Sequence, residues 1–434
     1  MYIPTVLNVL QVSLSPLAGI FGFGRPASND IHSVHGWDKF GVLSPYHDRS
    51  HVHGVRADLP ADCTVDQVVL LHRHGSRGPE GEEVYINKLV ETLENSSIPH
   101  HLPPSLRFLN HGYKSDLVPK NLTIIGRQQL FDHGVEFGRH YPGFSTDFVL
   151  SSTSQRVIDS AFYFTQGMFG REVDIVTVDK LGLPVNWILP WESCPKFSPW
   201  SELEAERATW AKKYIPVIKQ RLSALLPGVE LSDEDIRGAL YACPYDLAAH
   251  DVSPWCEVFK PHELAAFDYE SDLVSDGISG YISRNDTGPI LGSVYVNKLI
   301  ERFSNTTGDA RDLYLEFGHD VTILLVLSAM NLNKDIIPLT PEYMPPDRKF
   351  RGSEQSPFAA RMIWEKFTCK HSFEGPQVRL LLNGETYRLT SCQKSLKDLR
   401  FGTCSLSGFV KANVFSTNIR YGDETWNAAC VDKY

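Results

Sequence analysis

Two periods run through the hydrophobic positions. Short apolar runs, bounded by polar residues, recur at Asp66-Gln-Val-Val-Leu-Leu71, Thr146-Asp-Phe-Val-Leu150 and Asp312-Leu-Tyr-Leu-Glu-Phe317. Such runs predict strands buried on both faces, as in a parallel sheet. Between them the period lengthens. Residues 82–95, 121–141, 289–304 and Val321 to Leu332 predict helices, with Thr123 a cap for the second. Val157, Ile158, Ala161, Phe162, Phe164 and Thr165 mark another helix, after the polar turn Ser151-Ser-Thr-Ser154. Residues 175–285 read as mostly helical and rich in Trp, Pro and acids. Near the C-terminus, Val378-Arg-Leu-Leu-Leu382, Asn383-Gly384 and Glu385-Thr-Tyr-Arg-Leu389 predict a hairpin, since Asn-Gly suits a tight reversal. The alternation predicts an α/β fold: a mostly parallel sheet flanked by helices, with an inserted α-helical domain. The expected division is a leader over 1–24, an irregular arm over 25–62 and one main domain over 63–434. Its α/β part is expected at about 63–80, 146–175 and 286–434, and its helical insertions at about 81–145 and 176–285.

Composition narrows the function classes. With 434 residues, 42% hydrophobic and 11% aromatic, the bulk of the chain is expected to fold around a large core rather than remain disordered. The net charge of −10, with no basic stripe, argues against a nucleic-acid binder. Sixteen histidines and a pI near 5.9 make the chain cationic in mild acid, which suits work there. No apolar run beyond the N-terminus is long enough to span a bilayer. Residues 1–24 are apolar but lack a basic start, so a cleaved leader and an arm packed on the body both fit.

The eight cysteines include no CxxC pair. Four disulfides in a secreted protein is the preferred reading over eight buried thiols. Asn-x-Ser/Thr acceptors at Asn95, Asn121, Asn285 and Asn305 point the same way.

Three loops carry the chemistry. Arg73-His74-Gly75-Ser76-Arg77-Gly78-Pro79 follows the first predicted strand, Ser154-Gln155-Arg156 the second and Gly318-His319-Asp320 the third. In open α/β sheets ligands bind beyond the carboxyl ends of strands, so these loops are expected to meet. Arg73, Arg77 and Arg156 supply forks that match phosphoryl oxygens. Arg156 and His319 stand near helix N-termini, which favour anions. His74, flanked by arginines, keeps a depressed pKa and a nitrogen free to attack phosphorus. Asp320 is the one carboxylate in the three loops, and so the candidate acid for the leaving oxygen. His72-Arg-His74 also allows a metal-binding pair, although further ligands are not evident. No Walker A loop, GxSxG elbow or HExxH motif is present.

The first motif together with His319-Asp320 resembles the histidine acid phosphatases, most of all the fungal phytases and phytase-like acid phosphatases. Leu122-Thr-Ile-Ile-Gly-Arg-Gln-Gln-Leu130, Ser253-Pro-Trp-Cys-Glu-Val-Phe259, Pro357-Phe-Ala-Ala-Arg361 and Val378–Asn383 extend the resemblance over nearly all of 40–434; residues 1–40 show no match. The resemblance implies an α/β domain with a helical domain over the site. It implies a two-step hydrolysis in which His74 is phosphorylated and Asp320 protonates the leaving alcohol. Arg73, Arg77, Arg156 and His319 would then hold the phosphoryl group. No metal or cofactor is implied. It further implies the pairs Cys63–Cys369, Cys194–Cys430, Cys243–Cys256 and Cys392–Cys404.

One departure bears on substrate. Phytases often carry lysines shortly after the first motif, and here the stretch is Glu80-Gly81-Glu82-Glu83. Ionised carboxylates there repel a ligand bearing many phosphates, less so once protonated. Asp268, Glu270 and Asp272 would add to this if the helical insertion lines the pocket. The expected protein is therefore a secreted acid phosphatase that handles phytate poorly or only at low pH. A specialised phytase, a mutase that moves phosphate between alcohols, and a non-catalytic phosphoinositide- or partner-binding protein are the alternatives. The phosphate ester is the expected partner; the oligomeric state is left open.

Overall fold

A computed structural model describes residues 37–47, 55, 58–197, 200–281 and 287–431. The expected leader, most of the arm and the sequon at Asn285 lie outside the described residues. Eight strands form one sheet: β1 (Cys63–Arg73), β2 (Phe148–Ser151), β3 (Asp174–Thr177), β4 (Leu313–Gly318), β5 (Arg361–Cys369), β6 (Gln377–Leu382), β7 (Glu385–Tyr387) and β8 (Thr403–Ser405). Their order is β3-β2-β4-β1-β5-β6-β7, and β8 pairs with β6 beside β7. Pairings among β1 to β4 are parallel and those from β5 onward antiparallel. Counted by direction, five of the eight strands (β1, β2, β3, β4 and β6) point the same way, so the sheet is mixed but mostly parallel.

Eight longer helices matter for the site: α1 (Glu83–Glu94), α2 (Ile124–His140), α3 (Gln155–Phe169), α4 (Trp200–Leu225), α5 (Asp233–His250), α6 (Pro261–Ser279), α7 (Thr287–Ser304) and α8 (Asp320–Ala329). Strand β1 shows why the sheet needs helices on both faces. Val68 and Leu70 pack with Leu130, Phe137 and Phe164 of α2 and α3. Val69 and Leu71 pack with Tyr295 and Leu299 of α7 and Val326 of α8. Alternate side chains point to opposite faces, and both faces of this strand are buried. A separate core joins α1, α4, α5 and α6, with Phe40 and Leu43 of the N-terminal segment packed into it.

The predicted elements appear with shifted ends, and some assignments change. Helix α2, expected inside the 81–145 insertion, instead packs on the sheet through Leu130 and Phe137. Strand β3 straddles the expected boundary at 175/176, because Ile175 and Val176 complete the sheet edge on β2. Strands β3, β5 and β8 lie outside the predicted strands. The return strand of the hairpin stops at Tyr387. No described helix is long and apolar enough to cross a membrane.

Candidate active site

Strand β1 ends at Arg73, so His74 stands at its carboxyl end. There the backbone is clamped from both sides: His74 N–H donates to Gly318 O (3.1 Å) and Ala359 N–H to His74 O (2.9 Å). Ser152 N–H donates to Phe317 O (3.0 Å), which sets the loop after β2 at the same level. Three loops distant in sequence thus meet where β1, β4 and β2 end. Gly75 is required by close approach. A Cβ there would lie 2.5 Å from Gly126 O and 2.6 Å from Leu130 Cδ2.

His74 is buried, and its Nδ1 lies 2.9 Å from Gly75 O. A carbonyl only accepts, so Nδ1 carries the proton and Nε2 keeps its lone pair. Burial holds the imidazole pKa well below the ordinary value, and Arg73, Arg156, Arg77 and His319 lower it further. His74 therefore stays neutral in acid.

Arg73 is fully buried. Its Nη1 donates to Val42 O and to Ser356 O (2.7 Å), its Nη2 lies 3.5 Å from Asp320 Oδ2, and Phe358 lies beneath it at 4.6 Å. Burial brings its pKa down to about 10, so it remains charged. Arg77 donates to Gly78 O (2.8 Å) and reaches Tyr245 Oη (3.4 Å). Arg156, in the first turn of α3, sits with Nη2 2.8 Å from Glu80 Oε2. The buried Nε atoms of Arg73, Arg77 and Arg156 have no hydrogen-bond acceptor. Buried donors without acceptors mark where an anion is wanted.

His319 caps α8, its N–H donating to Thr322 Oγ1 (3.2 Å). Its Nε2 lies 3.1 Å from Ser152 Oγ, and its ring is 5.6 Å from that of His74. Burial, then Arg156, pushes its pKa down to about 3. Asp320 opens α8 with its side chain 21% exposed. Burial would raise its pKa, but Arg73, His319 and Arg77 outweigh this and hold it below the usual carboxylate value. A cleft of about 640 Å³ holds His74, Arg77, Arg156, His319 and Asp320, with residues of α4, α5 and α6 also lining it.

Several sequence expectations change. His72 does not share the neighbours of His74. Its Nδ1 lies 2.6 Å from Arg73 O, its Nε2 3.0 Å from His133 Nδ1, and it packs on Phe164 and Phe317. Among the described residues no group of three His, Cys, Asp or Glu is placed to hold a metal ion. Asp268 and Asp272 do not line the cleft. Both bind Arg348, at 2.8 and 2.7 Å, and Asp268 also accepts from Gly41 N–H (2.8 Å). Glu270 does line it, but pairs with Arg237 and Tyr214. The acidic run also divides. Glu82 and Glu83 accept from the N–H groups of Glu80 (2.7 Å) and Gly81 (2.6 Å), fixing the turn that sends Glu80 onto Arg156. Sequence reading missed Ser152, Tyr245 and the carbonyls of Val42 and Ser356. Ser152 stood in a polar turn already noted; the other three carried no sequence signal.

Four disulfides cross-link the chain: Cys63–Cys369, Cys194–Cys430, Cys243–Cys256 and Cys392–Cys404. Asn95, Asn121 and Asn305 are exposed.

The fold and site define an α/β-sheet protein with an anion cage around a neutral imidazole, set where the strand order switches. Residues 64–383 match the histidine phosphatase superfamily, branch 2, and the chain belongs to that family. It is 31% identical to a thiamine-repressible acid phosphatase of Schizosaccharomyces pombe, over 91% of this chain and 90% of that protein. It is 28% identical to a phytase A of Aspergillus terreus, over 87% and 88% of the two chains. Among solved structures, the phytase from D. castellii superposes with a TM-score of 0.77 at 22% identity, covering 91% of this chain and 87% of that one.

Proposed function

We propose that the protein is a secreted acid phosphatase that hydrolyses phosphomonoesters through a phosphohistidine intermediate. One observation carries this reading: an imidazole kept neutral in acid, with Nδ1 occupied, shares a cleft with Arg77, Arg156, His319 and Asp320. Nε2 of His74 attacks phosphorus as the phosphorus–oxygen bond breaks. The electron pair leaves on the alcohol oxygen, which takes the proton of Asp320. Water then attacks phosphorus, Asp320 accepts its proton, and the nitrogen–phosphorus bond returns its pair to Nε2. Arg73, Arg77, Arg156 and His319 hold the phosphoryl oxygens, and preorganised charge of this kind is the main resource of phosphoryl transfer. Asp320 must be protonated for the first step. The arginines hold it ionised in the free site, and a bound phosphoryl anion offsets them, so activity declines as pH rises.

The acid phosphatase and phytase names of the relatives support this activity. Phytate is expected as a substrate used poorly above the carboxylate range, because Glu80 already sits on Arg156. Export is supported by four disulfides, with no free cysteine among the described residues.

The test is rapid mixing with a ³²P-labelled monoester in EDTA, followed by an alkaline quench that preserves phosphohistidine. Label on His74, and loss of turnover in His74→Ala, is the expected result. Activity abolished by EDTA, or retained in His74→Ala, overturns it. A phytate preference over a simple monoester that persists at about pH 6, above the ordinary carboxylate range, overturns the substrate reading.

A further inference from the structure

Beyond the phosphoryl cage the cleft changes character. Trp191 and Phe197 line it, stacked with ring centroids 6.0 Å apart and planes 27° from parallel. Both rings are only partly buried. Trp191 lies 6.1 Å from His319, which lies 5.6 Å from His74. The indole is thus two ring contacts from the nucleophile, in the cleft that also holds Asp320.

The segment that carries these rings is held in place. Cys194, between them in sequence, is bonded to Cys430. Cys194 N–H donates to Trp191 O (3.0 Å), Phe197 N–H to Cys194 O (2.8 Å) and Lys196 N–H to Cys430 O (3.1 Å). A flat apolar surface with a covalent anchor is preorganised to receive a ring.

Charge points the same way. No lysine lines the cleft among the described residues. Arg207 lines it but lies 2.6 Å from Glu204. Glu80, Glu82 and Glu192 stand on its rim. A second or third phosphate on the leaving group finds Glu82 and Glu192 there and, among the described residues, no lining arginine free of a carboxylate partner, and these carboxylates repel it. An aromatic ring gains stacking contact, and a cationic ring gains attraction to the indole and the carboxylates.

We propose that Trp191 and Phe197 form a leaving-group subsite that selects phosphomonoesters of aromatic alcohols, neutral or cationic, over anionic ones. This rests on the phosphatase reading above.

Three esters of primary alcohols test it: benzyl, cyclohexylmethyl and N-methylpyridinium-3-ylmethyl phosphate, compared by kcat/KM at one mildly acidic pH. The benzyl ester is expected to exceed the cyclohexylmethyl ester by roughly 2- to 10-fold, the range of aromatic pair energies. The pyridinium ester is expected to at least equal the benzyl ester. The aromatic preference should vanish in Trp191→Leu and persist in Trp191→Phe. Equal rates for the benzyl and cyclohexylmethyl esters in the unmodified protein overturn the subsite, whatever the variants do. So does a preference unchanged in both Trp191→Leu and Phe197→Leu. His74→Ala, run alongside, separates the two claims. Activity retained there with any ester overturns the phosphohistidine reading, whereas the ester ranking judges the subsite alone.

Discussion

At His74 one hydrogen bond and one field decide the chemistry. The Gly75 carbonyl fixes the tautomer, and burial with three arginines keeps the ring unprotonated. Asp320 is the proposed complementary group, and that role predicts a leaving-group signature. Asp320→Asn should lower kcat roughly 10²- to 10⁴-fold for alkyl phosphates, the usual worth of a general acid. The loss should be much smaller for p-nitrophenyl phosphate, whose leaving group needs little protonation. Equal losses for both esters, measured side by side, would remove Asp320 from that role. Glu80 lies on Arg156 where a phosphoryl oxygen would compete for the same guanidinium. Glu80→Gln is therefore expected to lower KM for a simple monoester about 2- to 5-fold at pH 6, in keeping with a partly exposed ion pair. A raised KM would mean instead that Glu80 positions Arg156. These residue types were legible in sequence because the motif is dense. The pairing of Glu80 with Arg156 was not, since the two lie in different loops.

At the scale of elements, the site is built on strand ends and helix starts. Helix α2 shows the linkage. Thr123 Oγ1 accepts from Gly126 N–H (3.0 Å) and donates to Ala248 O (2.7 Å), and Thr123 N–H donates to Ser76 O (2.9 Å). One capping residue therefore joins α2, α5 and the nucleophile loop. Thr123→Ala should cost about 1–2 kcal/mol, the upper range for a lost cap, read by urea unfolding. Gly75→Ala should be worse, since its Cβ meets Gly126 backbone, and should depress both stability and kcat. Legibility followed pattern strength. Strands β1, β2 and β4 stood out as apolar runs. Strand β5 did not, because Glu365 and Lys366 interrupt it; buried Glu365 is satisfied by Arg379 and by Tyr141 (2.6 Å) from other elements. Tertiary partners made a strand of a sequence that local pattern does not announce.

For the whole molecule, buried ionisable groups set the response to acid. Asp246 and Asp276 are raised to about 7 and Asp272 to about 8, chiefly by burial. The folded state then binds more protons than the unfolded chain between about 4 and those values, so these groups stabilise on acidification. His72 and His319 are lowered to about 3, and His74 and His133 also lie well below the ordinary value, again through burial. Here the unfolded chain binds more protons below about 6.5, so these groups destabilise on acidification. The two sets oppose each other in mild acid. Thermal scans should show Tm rising from pH 8 to about 6.5, changing little to about 4, and falling below that, where unfolded carboxylates protonate. A Tm that falls steadily from pH 8 downward would contradict the neutral state of Asp246, Asp272 and Asp276.

The sequence by itself determined the strand–helix alternation and the loops at the strand ends that carry the arginines, histidines and Asp320, because periodicity and residue type are local properties. Tertiary structure alone decided which carboxylate faces which cation. It took Asp268 and Asp272 away from the cleft to Arg348, set Glu80 on Arg156, and turned His72 toward His133. It also brought Trp191 within 6.1 Å of His319, on a segment tied by the Cys194–Cys430 bond. Contacts between residues distant along the chain depend on how whole layers pack, and no local period encodes that geometry.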